Sequence, residues 1–109
     1  MSVRFQSVKE TARRRVLEVG WTKGLAEEVA RDFGVELETA GAFEELPFPA
    51  RSFDCVVAAP ELSDPAVAEL RRVLYEDGSL VAVAPQSQWF LLRHFTVVER
   101  RRDLFVCTP

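Results

Sequence analysis

The sequence predicts an α/β sandwich built on a mostly parallel sheet, and three observations carry that expectation. Apolar runs of strand length at 16–19, 53–59 and 79–84 are separated by stretches whose apolar residues recur at helical spacing. Glycine or proline punctuates most of the boundaries between them. The last two runs, 94–99 and 104–108, are joined by the short polar segment Arg100-Arg101-Arg102-Asp103, which reads as an antiparallel hairpin. Strands alternating with helices place the sheet between helical layers.

The chain is organised around Val16-Leu17-Glu18-Val19-Gly20-Trp21-Thr22-Lys23-Gly24. An apolar run with an acid near its end meets a glycine turn and then a helical pattern. Gly20 allows the chain to reverse without a Cβ clash, and Gly24 is expected to let the next helix sit close to the strand it has left. A helix N-terminus at such a turn offers N–H groups to an anion or a polar ligand.

Before that turn, Phe5, Val8 and Ala12 predict a short amphipathic helix over 3–13, and Arg13 to Arg15 read as a solvated boundary or as a phosphate contact. After it, Leu25, Ala26, Val29, Ala30 and Phe33 form one helical face, stopped by Gly34. Residues 35–39 alternate as a strand that a right-handed crossover lays parallel to the first. The two prolines of Glu45-Leu46-Pro47-Phe48-Pro49 make that stretch a surface connection. The strand at 53–59 ends at Pro60. Asp64 then caps a helix with Pro65 in its first turn, Val67, Leu70, Val73 and Leu74 supply the buried face, and Gly78 is expected to end it. Residues 79–84 form a strand stopped by Pro85, and 86–93 a short helix or turn around Trp89, Phe90 and Leu91.

A chain of 109 residues is expected to form one domain, 1–109. Its 48% hydrophobic and 28% charged residues are those of an ordinary globule, and a net charge of -3 provides no global attraction to nucleic acid or anionic membrane. Arg4, Lys9, Arg13, Arg14 and Arg15 at the start and Arg93, Arg100, Arg101 and Arg102 at the end would make a basic face if the fold joins them. No apolar run reaches the roughly 18 to 20 residues of a membrane span and the first residues lack a signal-peptide core, so a cytoplasmic location is expected. Cys55 and Cys107 sit inside apolar strand-like runs as structural thiols, with no metal-type spacing to the lone His94.

Four segments in order carry a resemblance: Val-Leu-Glu-Val-Gly at 16–20, Glu-Glu-Leu-Pro-Phe-Pro at 44–49, Ser-Phe-Asp-Cys-Val-Val at 52–57, and Glu-Leu-Arg-Arg-Val-Leu-Tyr-Glu-Asp-Gly-Ser-Leu-Val-Ala-Val at 69–83. Together they resemble successive landmarks of the class I S-adenosylmethionine-dependent methyltransferases, over about residues 16–108. The resemblance implies a Rossmann-like three-layer sandwich, a closing antiparallel hairpin, and S-adenosylmethionine held over the carboxyl ends of the family's strands one and four. It assigns the cofactor-contact positions to Glu18, Gly20, Thr22 and Gly24 in the first turn and to Ala59 and Pro60 after the strand at 53–59.

The departures from that family bear on function. Its first turn usually carries three spaced glycines; here the middle place is Thr22, between Trp21 and Lys23. Its ribose-binding acid falls near Gly41, and its adenine-binding acid near Ala42 or Phe43, so both acids are missing. Residues 35–43 must serve for one strand where the family has two with a helix between, so one strand-helix unit is missing. Losing two charge-assisted hydrogen bonds of about 1.5–3 kcal/mol each lowers affinity by roughly two to four decades. Glu44 or Glu45 could reach back to the ribose, Glu18 could simply receive N–H groups of the turn, and Glu61 or His94 could act as a general base. No nucleophile with a partner base is visible, and no catalytic residue is assigned.

Three functions fit these residues. The first is a reduced methyltransferase-like domain without methyl transfer, acting through a protein partner or by self-association. The second is an active methyltransferase with an abbreviated or dimer-completed pocket. The third is a nucleic-acid-associated module using the basic termini. S-adenosylmethionine binding is expected to be weak or absent, and a dimer is expected through apolar surface near 35–48, including Phe43, Leu46 and Phe48.

Overall fold

The computed structural model describes residues 15–41, 45–59, 62–83, 88–101 and 103–109, with the backbone alone for 88–90. The helix expected over 3–13 lies outside these residues, as do Phe43, Glu44, Pro60, Glu61 and Arg102. In chain order the elements are β1 (Val16–Val19), α1 (Leu25–Phe33), β2 (Leu37–Ala40), β3 (Phe53–Ala58), α2 (Asp64–Val73), β4 (Leu74–Val83), α3 (Gln88–His94), β5 (Thr96–Arg100) and β6 (Leu104–Thr108).

All six strands join one sheet in the order β2-β1-β3-β4-β6-β5. Strands β1 to β4 are mutually parallel, with Val16 opposite Leu37 on one side and Cys55 on the other. β6 runs antiparallel to both β4 and β5, which is the expected closing hairpin.

Alternation of side chains along the strands sorts the core into two layers. Val16, Cys55, Val57 and Val81 face α1 and its Ala26, Val29, Ala30 and Phe33. Leu17, Val19, Val56, Ala58, Leu80 and Ala82 face Val67, Leu70 and Val73 of α2 and Leu91 of α3. Every strand residue named here is essentially fully buried, which is why β1, β3 and β4 read as continuous apolar runs. The result is the Rossmann-like three-layer arrangement.

Several boundaries differ from expectation. β2 begins at Leu37, and β5 begins at Thr96 because His94 is the last residue of α3. The cap of α2 is Ser63, whose hydroxyl accepts the Ala66 N–H at 3.3 Å, while Asp64 occupies the first helical position. Gly78 does not end α2, which stops at Val73. It lies within β4, where the register with β3 jumps from Phe53–Leu74 to Cys55–Ser79. A Cβ there would stand 3.0 Å from the carbonyl oxygens of both Asp54 and Tyr75, so close backbone approach, not helix termination, selects glycine.

The shortened unit is visible in the path from β2 to β3, which lie on opposite sides of β1. Residues 41–52 make that crossing with neither helix nor strand among the described ones. Leu46 anchors it: the N–H donates to Glu69 Oε1 at 2.8 Å and the carbonyl accepts from Arg72 Nη2 at 3.1 Å. Leu46 is buried, and Phe48 packs edge-on against Phe53 with ring centroids 4.9 Å apart. These two residues therefore cover the core in place of the absent unit, and do not form the exposed apolar surface the sequence suggested.

Candidate functional site

The carboxyl ends of β1 and β3 meet at Gly20 and Ala59. Gly20 has φ 75°, and a Cβ on it would stand 2.8 Å from the Ala59 Cβ. Its N–H donates to Ala40 O, while the Ala59 N–H donates to Val19 O, both at 2.9 Å. The glycine requirement inferred for position 20 thus has two causes, left-handed backbone and lack of space. Gly24 differs. It has φ 87° and follows Lys23 at φ 58°, yet a Cβ there would meet only Glu27 Oε1, at 3.9 Å. Backbone conformation, not close helix packing, selects glycine at 24.

Thr22 occupies the middle of the turn, nine-tenths and more buried. Its hydroxyl donates to Glu18 Oε2 at 2.6 Å, its backbone N–H donates to the same oxygen at 3.2 Å, and its Oγ1 accepts the Ala26 N–H at 3.1 Å. The Leu25 N–H donates to Thr22 O at 3.1 Å. The donors at 22, 25 and 26, which such a turn would present to a ligand, are therefore engaged within the chain. Glu18 receives the groups of its own turn, one of the roles read for it from sequence. Glu27 and Glu28 in the first turn of α1 complement the helix dipole and disfavour an anionic ligand there.

The remaining sequence-derived positions divide plainly. Gly41 directly follows β2, so the place of a ribose-holding acid carries no carboxylate. Glu45 is exposed, and Pro60 and Glu61 lie outside the described residues. His94 does not join the turn: it borders a groove with Ala50 and Leu74, at the amino ends of β3 and β4. Its Nε2 lies 3.1 Å from Asp64 Oδ1. Trp21, at the tip of the turn, is 75% exposed. Sequence reasoning treated it only as bulk, although an aromatic directly after a strand-ending glycine at positive φ is well placed to project outward.

Of the arginines considered for a basic face, those described are engaged. Arg15 pairs with Glu38 through Nε and Nη2 at 2.8 and 2.6 Å, and lies 4.5 Å over the Phe53 ring. The Arg15 hydrogen bond holds the Glu38 carboxyl below its ordinary range, against the opposing effect of burial. Arg101 pairs with Glu99, and Arg100 lies over Phe105. Cys55 and Cys107 are buried and free. No described helix is long and apolar enough to cross a membrane.

No protein-family profile matches the sequence, and no curated protein matches it. Solved structures match in fold. The CMeT domain of the citrinin polyketide synthase superimposes with a TM-score of 0.59 at 13% identity, over 88% of this chain and 46% of that one. A SAM-dependent methyltransferase from Aquifex aeolicus gives 0.54 at 19% identity, over 88% and 82%. A SAM-dependent methyltransferase of Thermotoga maritima, a possible histamine N-methyltransferase, matches 62% of this chain at 24% identity with a TM-score of 0.41. This chain spans 42% of that protein's length. The likeness is one of fold: the chain has the Rossmann-like architecture of class I S-adenosylmethionine-dependent methyltransferases.

Proposed function

We propose that this chain is a reduced methyltransferase-like domain that does not transfer methyl groups and acts as a binding module, through a protein partner or a second copy of itself. The carrying observation is the Glu18–Thr22–Ala26 chain of hydrogen bonds, which engages the Thr22 and Ala26 N–H groups from within the turn. Gly41 adds to it, since the position directly after β2 carries no carboxylate to hold a ribose. A fold preserved around a closed turn favours recognition over chemistry. Trp21, large and exposed at the tip of that turn, is the kind of residue that anchors protein interfaces.

The alternative, an active methyltransferase whose pocket a second chain completes, is favoured by one observation. The close approach of Gly20 to Ala59 keeps the strand-end geometry of the fold. Incubation with S-adenosylmethionine labelled on its methyl group, with cell extract as acceptor, separates the readings. No protein-dependent transfer of label is expected. Saturable, protein-dependent transfer of label would establish the enzyme instead. Sedimentation equilibrium at micromolar concentration, with Trp21→Ser as the paired variant, tests whether the module pairs with itself.

A further inference from the structure

Away from the β1 turn, an open groove of about 670 Å³ lies beside the amino ends of β3 and β4. Arg51, Arg71 and Arg72 are among its lining residues, together with Glu76, His94 and Pro109. With Arg51 and Arg72 each paired to a carboxylate, the uncompensated positive charge of these lining arginines is that of Arg71.

Two of the arginines are held in fixed relation. Arg51 adopts φ 56°, a conformation L residues seldom take, and its N–H donates to Arg72 O at 2.9 Å. The next residue repeats the tie, with Ser52 N–H to Val73 O at 2.7 Å. The Arg72 guanidinium is gripped through Nε and Nη2 by Glu69 at 2.7 and 2.9 Å, a grip that leaves Nη1 out. Arg71 carries no ion pair among the described residues, and Arg51 bonds Glu76 through Nη2 alone with both side chains mostly exposed. An exposed pair of that kind exchanges readily for a better acceptor. Asp64 faces the His94 ring, at 3.1 Å, and lies 3.6 Å from Arg93, so that carboxylate is directed to its own partners.

From this arrangement we infer that the groove binds a small ligand bearing a diphosphate group, recognised by Arg71 and Arg51. Planar guanidinium forks match tetrahedral oxyanions bidentately, and a groove of this volume is in the range that holds small ligands. The inference is independent of whether the β1 turn admits S-adenosylmethionine.

Calorimetric titration with inorganic pyrophosphate at low salt tests it. Saturable binding is expected with a dissociation constant below about 1 mM. Arg71→Glu should weaken it at least about tenfold, as should Arg51→Gly, which keeps the left-handed backbone while removing the guanidinium. Arg31→Glu, an exposed charge reversal on α1, should leave it within about twofold, the scale of general surface electrostatics. Titration with a nucleoside diphosphate shows whether a base is also seated: equal affinity assigns recognition to the phosphates, and tighter binding lost in Arg71→Glu extends the site. Absence of saturable pyrophosphate binding, or equal weakening by Arg31→Glu and Arg71→Glu, overturns the proposal.

Discussion

Thr22 Oγ1 lies 2.6 Å from Glu18 Oε2 while accepting the Ala26 N–H at 3.1 Å, so a single hydroxyl links the end of β1 to the first turn of α1. Thr22 is also nearly inaccessible to solvent. Replacing it with valine keeps the shape but leaves a buried N–H and a half-buried carboxylate short of partners, so stability should fall by about 1–3 kcal/mol. Serine at the same position should stay much closer to the parent. Urea denaturation of the two variants measures the difference; equal midpoints would show that the hydroxyl is dispensable.

Gly20→Ala should be among the more damaging single-methyl additions in the chain. The new Cβ would meet the Ala59 Cβ at 2.8 Å from a backbone at φ 75°. Overpacking and left-handed strain together predict a loss of about 2–4 kcal/mol. Gly34→Ala, also at positive φ but with no atom within 4 Å of the added carbon, should cost only the conformational part, about 1 kcal/mol. Thermal unfolding of both variants checks the ordering.

These contrasts show what could be read from residues alone. The strands β1 and β3, the part of β4 from residue 79 on, and the helix α1 were legible because burial on both faces leaves continuous apolar runs, and because Gly34 ends a clear amphipathic pattern. Gly78 misled because a glycine after a helical face looks like a stop signal, whereas here it answers to two carbonyl oxygens brought close by a bulge. The crossing at 41–52 misled for a different reason. Prolines 47 and 49 signal a surface path, but Leu46 is carried inward by Glu69 and Arg72, which lie 23 and 26 residues away in sequence. In the site, the glycines at 20 and 24 were visible in the sequence. The bonds that Thr22 makes across the turn were not, because a lone threonine carries no signal of what its hydroxyl will meet.

The Glu69–Arg72 pair predicts a pH dependence. The Arg72 hydrogen bond is the main cause that lowers the Glu69 carboxyl pKa, with the Leu46 N–H adding to it against burial. A carboxylate whose folded value is depressed stabilises fully above its unfolded value, near 4.3, and that stabilisation is lost as pH falls through the lowered folded value. Glu69→Gln keeps an acceptor for Leu46 but removes the charge. Its stability should therefore be lower than the parent near neutrality, and the gap should narrow as the solution is acidified below about pH 4. A gap independent of pH would assign the effect to packing.

Burial pushes the Cys55 thiol up to about 12, with Asp54 nearby acting in the same direction. Native protein at pH 8 should therefore leave Cys55 unmodified by iodoacetamide over hours, and label it promptly in denaturant. Mass spectrometry of the labelled peptides reads this directly. Rapid labelling of Cys55 in the native state would mean that the β1–β3–β4 core opens far more often than its packing implies.

The central claim is that the β1 turn is closed by its own side chains, so that the methyltransferase fold survives without its donor. Isothermal titration of S-adenosylmethionine into the purified protein tests that claim most directly. The account predicts no saturable heat at sub-millimolar donor, since two fewer charge-assisted hydrogen bonds would lower affinity by roughly two to four decades. Saturable binding in the low micromolar range would contradict it.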